Sequence, residues 1–144
     1  MPLVRISPTE AQARMSAGAT YLDVRSVPEF EAGHPASARN IPIAHAGPGG
    51  MLRDNPSFVE QVKANFPLDA RLVVGCRTGV RSQRAALMLE AAGFTSVVEM
   101  RGGFAGEHDP MGRVVEAGWV AVGLPVSTTA EPGASFHELS TPRT

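Results

Sequence analysis

A chain of 144 residues with 43% hydrophobic content has the size of one globular domain and enough apolar residues for a core. A formal net charge of -1 and a pI near 6.4 supply no basic field for nucleic acid, and no stretch approaches the roughly 20 apolar residues that span a bilayer. A single cysteine excludes an intramolecular disulfide and leaves any cysteine-based metal site three ligands short, while MPLVRISPTEAQARM lacks the apolar core of a signal peptide, so the expectation is a cytoplasmic protein.

Ser7-Pro8-Thr9-Glu10 places an N-cap serine, a proline at the first helical position and a glutamate three residues after the cap, which predicts a helix to about Gly18. Tyr21-Leu22-Asp23-Val24 is short and mostly apolar, suiting a buried parallel strand whose C-terminal end presents Asp23 and Arg25. Val27 to Gly33 permits one or two helical turns. Ala38-Arg39-Asn40-Ile41-Pro42 allows only a brief strand, because Pro42 removes a ladder donor. The glycines and prolines between Ala44 and Gly50 mark a loop. Asn55-Pro56 repeats the cap-plus-proline start, and Phe58, Val59, Val62 and Phe66 recur at helical spacing until Pro67. Arg71-Leu72-Val73-Val74-Gly75 reads as a second buried strand that delivers Cys76 at its end. In the helix that follows, Ala85, Met88, Leu89 and Ala92 line one face and Gly93 is placed as its left-handed terminator. Ser96 to Met100 predicts a third strand, and Gly102-Gly103 turns the chain back.

This alternation predicts a small three-layer α/β domain, with a mostly parallel central sheet flanked by helices and right-handed crossovers. In such sheets the ligand crevice lies beyond the carboxyl ends of the strands, where Asp23, Arg25 and Cys76 all emerge. The domain is expected to span residues 1–126. Residues 127–144 turn to Ser, Thr, Pro and Glu without periodicity, which predicts a mobile tail or an arm that docks late.

Cys76-Arg77-Thr78-Gly79-Val80-Arg81-Ser82 joins a buried strand to a helix start, so successive backbone amides can curl around an anion above the sulfur. Gly79 permits the tight curl, and Ser82 can cap the helix. The positive end of the helix dipole favours a thiolate, and helix N-termini with nearby cations lower cysteine pKa values from about 8.5 to roughly 3.5 to 7.5. Arg77 and Arg81 add two charges beside this nest, with Arg84 one turn further as an outer contributor, so a small oxyanion is the natural ligand. The bland alternative is a cysteine buried as core. Asp23 likewise reads either as a substrate contact or as a carboxylate paired with Arg25.

Taken together, these segments resemble a single-domain rhodanese from about Arg5 to Val126. Asp23-Val24-Arg25 with Glu29-Phe30 and Gly33-His34 resembles the first signature of that family, and Asn40-Ile41-Pro42 its continuation. Cys76 with Gly79 and Ser82 matches the active-site loop, Gly93-Phe94 with Val97 the next segment, and Gly102-Gly103, Gly118-Trp119 and Gly123-Leu124-Pro125-Val126 the last. The resemblance implies a persulfide-forming Cys76 within a loop of amides, with Asp23 and Arg25 supporting the loop from beneath. Pro35-Ala36-Ser37 departs from the usual pattern, as does the long stretch from Phe104 to Ala117. That stretch carries Glu107, His108, Asp109 and Arg113, and either covers the mouth of the site or makes a solvated excursion.

The function read from the sequence is sulfurtransfer: sulfane sulfur passes from thiosulfate or a similar small anionic donor to Cys76, and from there to cyanide, a thiol or an acceptor protein. With no second cysteine, the acceptor must come from outside. No cofactor or metal is called for, since His34, His45, His108 and His137 show no ligand spacing, and neither nucleic acid nor membrane is expected as a partner. Gly47-Pro48-Gly49-Gly50 lacks the lysine and hydroxyl of a phosphate-binding loop. Two alternatives stand beside this reading. One is a non-catalytic interaction module of the same fold. The other is a phosphatase or arsenate reductase, against which four residues, one fewer than that chemistry wants, separate Cys76 from Arg81.

Overall fold

A computed structural model describes residues 3–140. In chain order the elements are β1 (Arg5–Ile6), α1 (Pro8–Ser16), β2 (Thr20–Asp23), α2 (Val27–Ala32), β3 (His34–Pro35), β4 (Arg39–Asn40), β5 (Ala44–Ala46), β6 (Leu52–Asp54), α3 (Phe58–Asn65), β7 (Leu72–Gly75), α4 (Val80–Ala91), β8 (Val97–Met100), β9 (Glu107–His108), β10 (Val114–Glu116), β11 (Val126–Ser127) and α5 (Phe136–Ser140). The central sheet runs β1-β8-β7-β2-β4 with every pair parallel, which is the predicted α/β architecture.

Strand periodicity divides the core into two layers. Leu22, Leu72, Val74, Cys76 and Val97 face one side, where Phe58 and Val62 of α3 and Ala85, Ala86 and Leu89 of α4 cover them. Tyr21, Val73, Val98 and Met100 face the other, against Ala11 of α1, Phe30 and Trp119. Each fully buried leucine of this core contributes about 1.5–3 kcal/mol. Trp119 is also satisfied at its polar end, donating to the Pro125 carbonyl at 2.8 Å. No helix among the described residues is long and apolar enough to cross a membrane.

Three local expectations change. The loop from Ala44 to Gly50 opens into an antiparallel hairpin of β5 and β6, turned by a short 3-10 segment in which Gly49 and Gly50 take φ of 69° and 79°. Leu52 to Asp54 are all exposed, so this hairpin carried no periodic apolar signal. Helix α3 starts at Phe58 because Asn55 does not cap it; its Oδ1 accepts from the Ser57 amide at 3.1 Å, and its Nδ2 donates to the Pro42 carbonyl at 2.8 Å. On α4 the buried stripe is Ser82, Ala85, Ala86 and Leu89, leaving Met88 exposed. A stripe drawn from apolar residues alone misses Ser82 and so rotates the face.

The C-terminal stretch, for which the sequence left a mobile tail or a docking arm open, lies against the body as an arm over residues 127–140. β11 pairs antiparallel with β3, the Ala134 carbonyl accepts from the Asn40 amide at 2.9 Å, and Leu139 enters the core under α3. Asn65 Nδ2 donates to the Leu139 carbonyl at 2.9 Å. Residues 141–144 of the expected tail fall outside the described residues.

Candidate active site

Strand β7 ends at Gly75, and Cys76 follows it into the crevice with 1% of its surface exposed. Its Sγ receives the Gly79 amide at 3.1 Å and lies 3.2 Å from Ser82 Oγ, which accepts from the thiol. Gly79 is the residue that precedes α4, at φ 113°, a left-handed conformation that favours glycine. Gly79 is thus the cap position, whereas the sequence suggested Ser82. The serine sits instead in the buried first turn, where its hydroxyl serves the sulfur.

The loop is held open from outside. Phe104 and Ala105 amides donate to the carbonyls of Cys76 and Arg77 at 2.7 and 2.9 Å, turning those carbonyls away from the sulfur. Gly103 makes this approach possible: a Cβ there would fall 2.5 Å from the Arg77 carbonyl oxygen, and its φ is 60°. The first-turn amides of α4, from Val80 to Ser82, have no intrahelical acceptor and complete an anion-ready rim.

The cations divide in a way that the loop sequence did not reveal. Arg77 is exposed and has no acidic partner among the described residues. Arg81, expected as a second charge for the ligand, is held by Glu29 of α2 in a fork of 2.7 and 2.9 Å. Burial pushes the Glu29 carboxyl up, but hydrogen bonds from Arg81 and Ser26 outweigh it and hold the group at about 2. Arg84, the expected outer contributor, pairs with Asp54 of β6 at 2.9 Å on the surface. Thr78 of the loop and Val80, the first residue of α4, are exposed, Val80 at 75%.

Asp23 and Arg25 emerge on the same rim but spend their valences on each other. Arg25 Nη2 lies 2.8 Å from Asp23 Oδ2, its Nε reaches both carboxylate oxygens, and Nη2 also donates to the Gly33 carbonyl at 2.6 Å. Arg25 stacks 4.5 Å above the Phe104 ring, the residue whose amide ties down the Cys76 carbonyl. Asn40 Nδ2 clamps the carbonyls of Asp23 and Arg25 at 2.9 and 3.0 Å. The pair thus braces its own turn between β2 and α2, beside the loop. Arg25, Glu29, Arg77 and Phe104 line a shallow recess of about 190 Å³ beside the loop. A cleft of about 540 Å³ elsewhere is lined by Gln12, Tyr21, Arg39 and Glu131 among others and contains no loop residue.

Sequence reasoning missed what lies beneath Ser82. Its hydroxyl donates to Glu99 Oε2 at 2.5 Å, with the Gly79 carbonyl a longer alternative at 3.3 Å. Glu99 has none of its surface exposed, and Arg5 Nε closes on its other oxygen at 2.6 Å while Arg5 Nη2 reaches Glu107 at 3.1 Å. Burial pushes the Glu99 carboxyl above its ordinary range, against the downward pull of Ser82 and Arg5. The available signal was a glutamate inside the apolar strand Val97-Val98-Glu99-Met100, at the parity that faces α4.

The segment from Phe104 to Ala117 forms the β9–β10 hairpin. Its base borders the site through Phe104 and Glu107; its tip, with Met111 78% exposed, projects outward. No cluster of metal-ligating side chains occurs among the described residues.

The Rhodanese-like domain family model matches residues 7–108. Thiosulfate sulfurtransferase 16, chloroplastic, of Arabidopsis thaliana is 42% identical over 99 residues, 69% of this chain and 82% of the relative. A protein named HIGH ARSENIC CONTENT 1, mitochondrial, from the same plant, is 37% identical over 94 residues, 65% of this chain. The chain spans about half the length of that relative, 55%, and of two others, 52% and 53%. Among solved structures, Rv0390 from M. tuberculosis superposes with a TM-score of 0.73 at 28% identity, covering 90% of this chain and 100% of that one. With the matched span running from the cap of α1 to β9 and enclosing the whole Cys76 loop, the chain belongs to the rhodanese-like domain family.

Proposed function

We propose that the chain is a cytoplasmic sulfurtransferase that takes sulfane sulfur from thiosulfate, or a similar small anionic donor, onto Cys76 as a persulfide and passes it to cyanide, a thiol or an acceptor protein. The observation that carries this reading is the Cys76 sulfur held at 3.1 Å by the Gly79 amide beneath a loop whose carbonyls are tied outward. The thiolate attacks the outer sulfur of the donor, the S–S bond to the sulfonate breaks, and sulfite leaves with the electron pair. The persulfide anion then lies among the amides of the loop, which stabilise its terminal charge. An acceptor anion takes that sulfur and returns Cys76 as thiolate. The cycle balances without a metal or an organic cofactor.

Arg77 is the cation assigned to the donor. Arg81, locked to Glu29, is assigned to holding the helix start, so the preference for thiosulfate rests on one charge, the amide rim and the names of the relatives. Phosphatase or arsenate-reductase chemistry fits less well, despite the name of one relative, because Arg81 is both one residue early for that chemistry and already paired with Glu29.

The test adds thiosulfate and then cyanide to the purified protein, follows thiocyanate, and weighs the intact chain between the two steps. The reading expects turnover and a one-sulfur mass gain, both lost in Cys76→Ser. No gain from thiosulfate, mercaptopyruvate or polysulfide would sink it and favour the interaction module.

A further inference from the structure

We infer that Cys76 and Glu99 share one proton through the Ser82 hydroxyl, so that Glu99 is an internal proton acceptor for the nucleophile. The geometry is a continuous chain. The thiol of Cys76 lies 3.2 Å from Ser82 Oγ, and that hydroxyl donates to Glu99 Oε2. Both ends are sealed, the cysteine with 1% and the carboxyl with none of its surface exposed. The strand register places Val74 beside Glu99, and both β7 and β8 turn this face toward α4, whose buried stripe begins with Ser82. Three elements therefore converge to build the path.

Two arrangements have the same net charge. In one, the thiol donates to Ser82 and Ser82 donates to a Glu99 carboxylate. In the other, the S–H bond has broken, its proton sits on Ser82 Oγ, and the former Ser82 proton has moved to Glu99 Oε2. The sulfur keeps the electron pair, and the now neutral carboxyl donates to Ser82, which donates to the thiolate. No net charge is created in the buried site, which removes the main cost of ionising a sealed thiol. The raised proton affinity of Glu99 brings the two arrangements closer in free energy. Arg5 from β1 pulls the proton back toward sulfur by stabilising the carboxylate, and Glu107 from β9 opposes Arg5. Tyr21 of β2 lies within electrostatic reach of Cys76 and Glu99, and Arg81 of α4 within reach of Cys76.

The consequence for turnover rests on the sulfurtransferase reading: the proton parked on Glu99 stays there while sulfur enters and leaves. The sharing itself is tested without turnover, by the rate at which neutral iodoacetamide alkylates Cys76 across pH. Two interacting sites titrate in two macroscopic steps, so the folded wild-type protein should show two rises in rate separated by a plateau. Glu99→Gln leaves one titrating group and should collapse the profile to one rise. Arg5→Met, which weakens the carboxylate and keeps Glu99, should lift the plateau by about tenfold, equivalent to one pKa unit. Circular dichroism identifies any variant that fails to fold, and the wild-type profile stands as a test without them. A single rise in the wild type, a two-step profile surviving Glu99→Gln, or a plateau indifferent to Arg5→Met would overturn the inference. Two steps in a protein that makes no thiocyanate would retain it and remove only the sulfur-transfer reading; thiocyanate with a single rise would do the reverse.

Discussion

Two buried polar assemblies flank the Cys76 loop, and they are built on opposite plans. The Asp23–Arg25 pair is closed: Arg25 Nε meets Asp23, and Nη2 meets both Asp23 and the Gly33 carbonyl. The assembly on the other side is open, running from Arg5 through Glu99 and Ser82 and ending at the sulfur. Asp23 and Arg25 on one side and Glu99, Ser82 and Cys76 on the other are all buried, so burial alone does not distinguish a brace from a reactive network. What distinguishes them is whether the last hydrogen bond returns to protein backbone or stops at a group that can form a new covalent bond.

The comparison makes graded predictions. Asp23→Ala should have the largest effect, a loss of about 3–5 kcal/mol in urea unfolding, because it strands a charge on Arg25 that is 4% exposed. Activity per folded molecule should fall far less than stability. A loss of stability below 1 kcal/mol would break the view of this pair as a brace.

Next comes the second closed pair, Glu29–Arg81. Its folded carboxyl titrates at about 2 and its unfolded one at the ordinary 4.5, so the stabilisation is fully present above about pH 4.5 and is lost as pH falls toward 2. The stability gap between wild type and Glu29→Gln should therefore be on the order of 2 kcal/mol at neutral pH, discounted for partial exposure, and should close on acidification. A gap that widens toward acid would contradict the assignment.

Smaller effects belong to the exposed cations. Arg77→Ala should raise the KM for thiosulfate about tenfold, roughly 1.4 kcal/mol, with an unchanged melting temperature. Arg84→Ala breaks only a surface pair with Asp54 and should cost less than about 0.5 kcal/mol, leaving the KM unmoved. Equal KM effects at both positions would mean that the donor senses only general positive charge.

Much of this was legible from the residues. The Ser7-Pro8 start, the apolar runs at Tyr21 and Leu72 and the glycine at 93 report local preferences, and the elements follow them closely. The pairing of Arg81 with Glu29 was not legible, because 52 residues separate them and any acid on the rim would serve. Whether the C-terminal arm docks was left open for a related reason: Leu139 and Phe136 are too few to make a periodic pattern, and they pack in only because α3 and β4 leave a place for them.

The sequence by itself determined the layered α/β plan, the rim on which Cys76, Asp23 and Arg25 meet, and the amide loop opening a helix. Those features follow from local backbone preference and from strands that must be apolar on both faces. Only the tertiary structure decided which charges face the ligand and which face one another, and that Glu99 lies under Ser82. Such pairings depend on distances across elements, and a hydrogen bond that is decisive at 2.5 or 3.2 Å leaves no periodic trace in the chain.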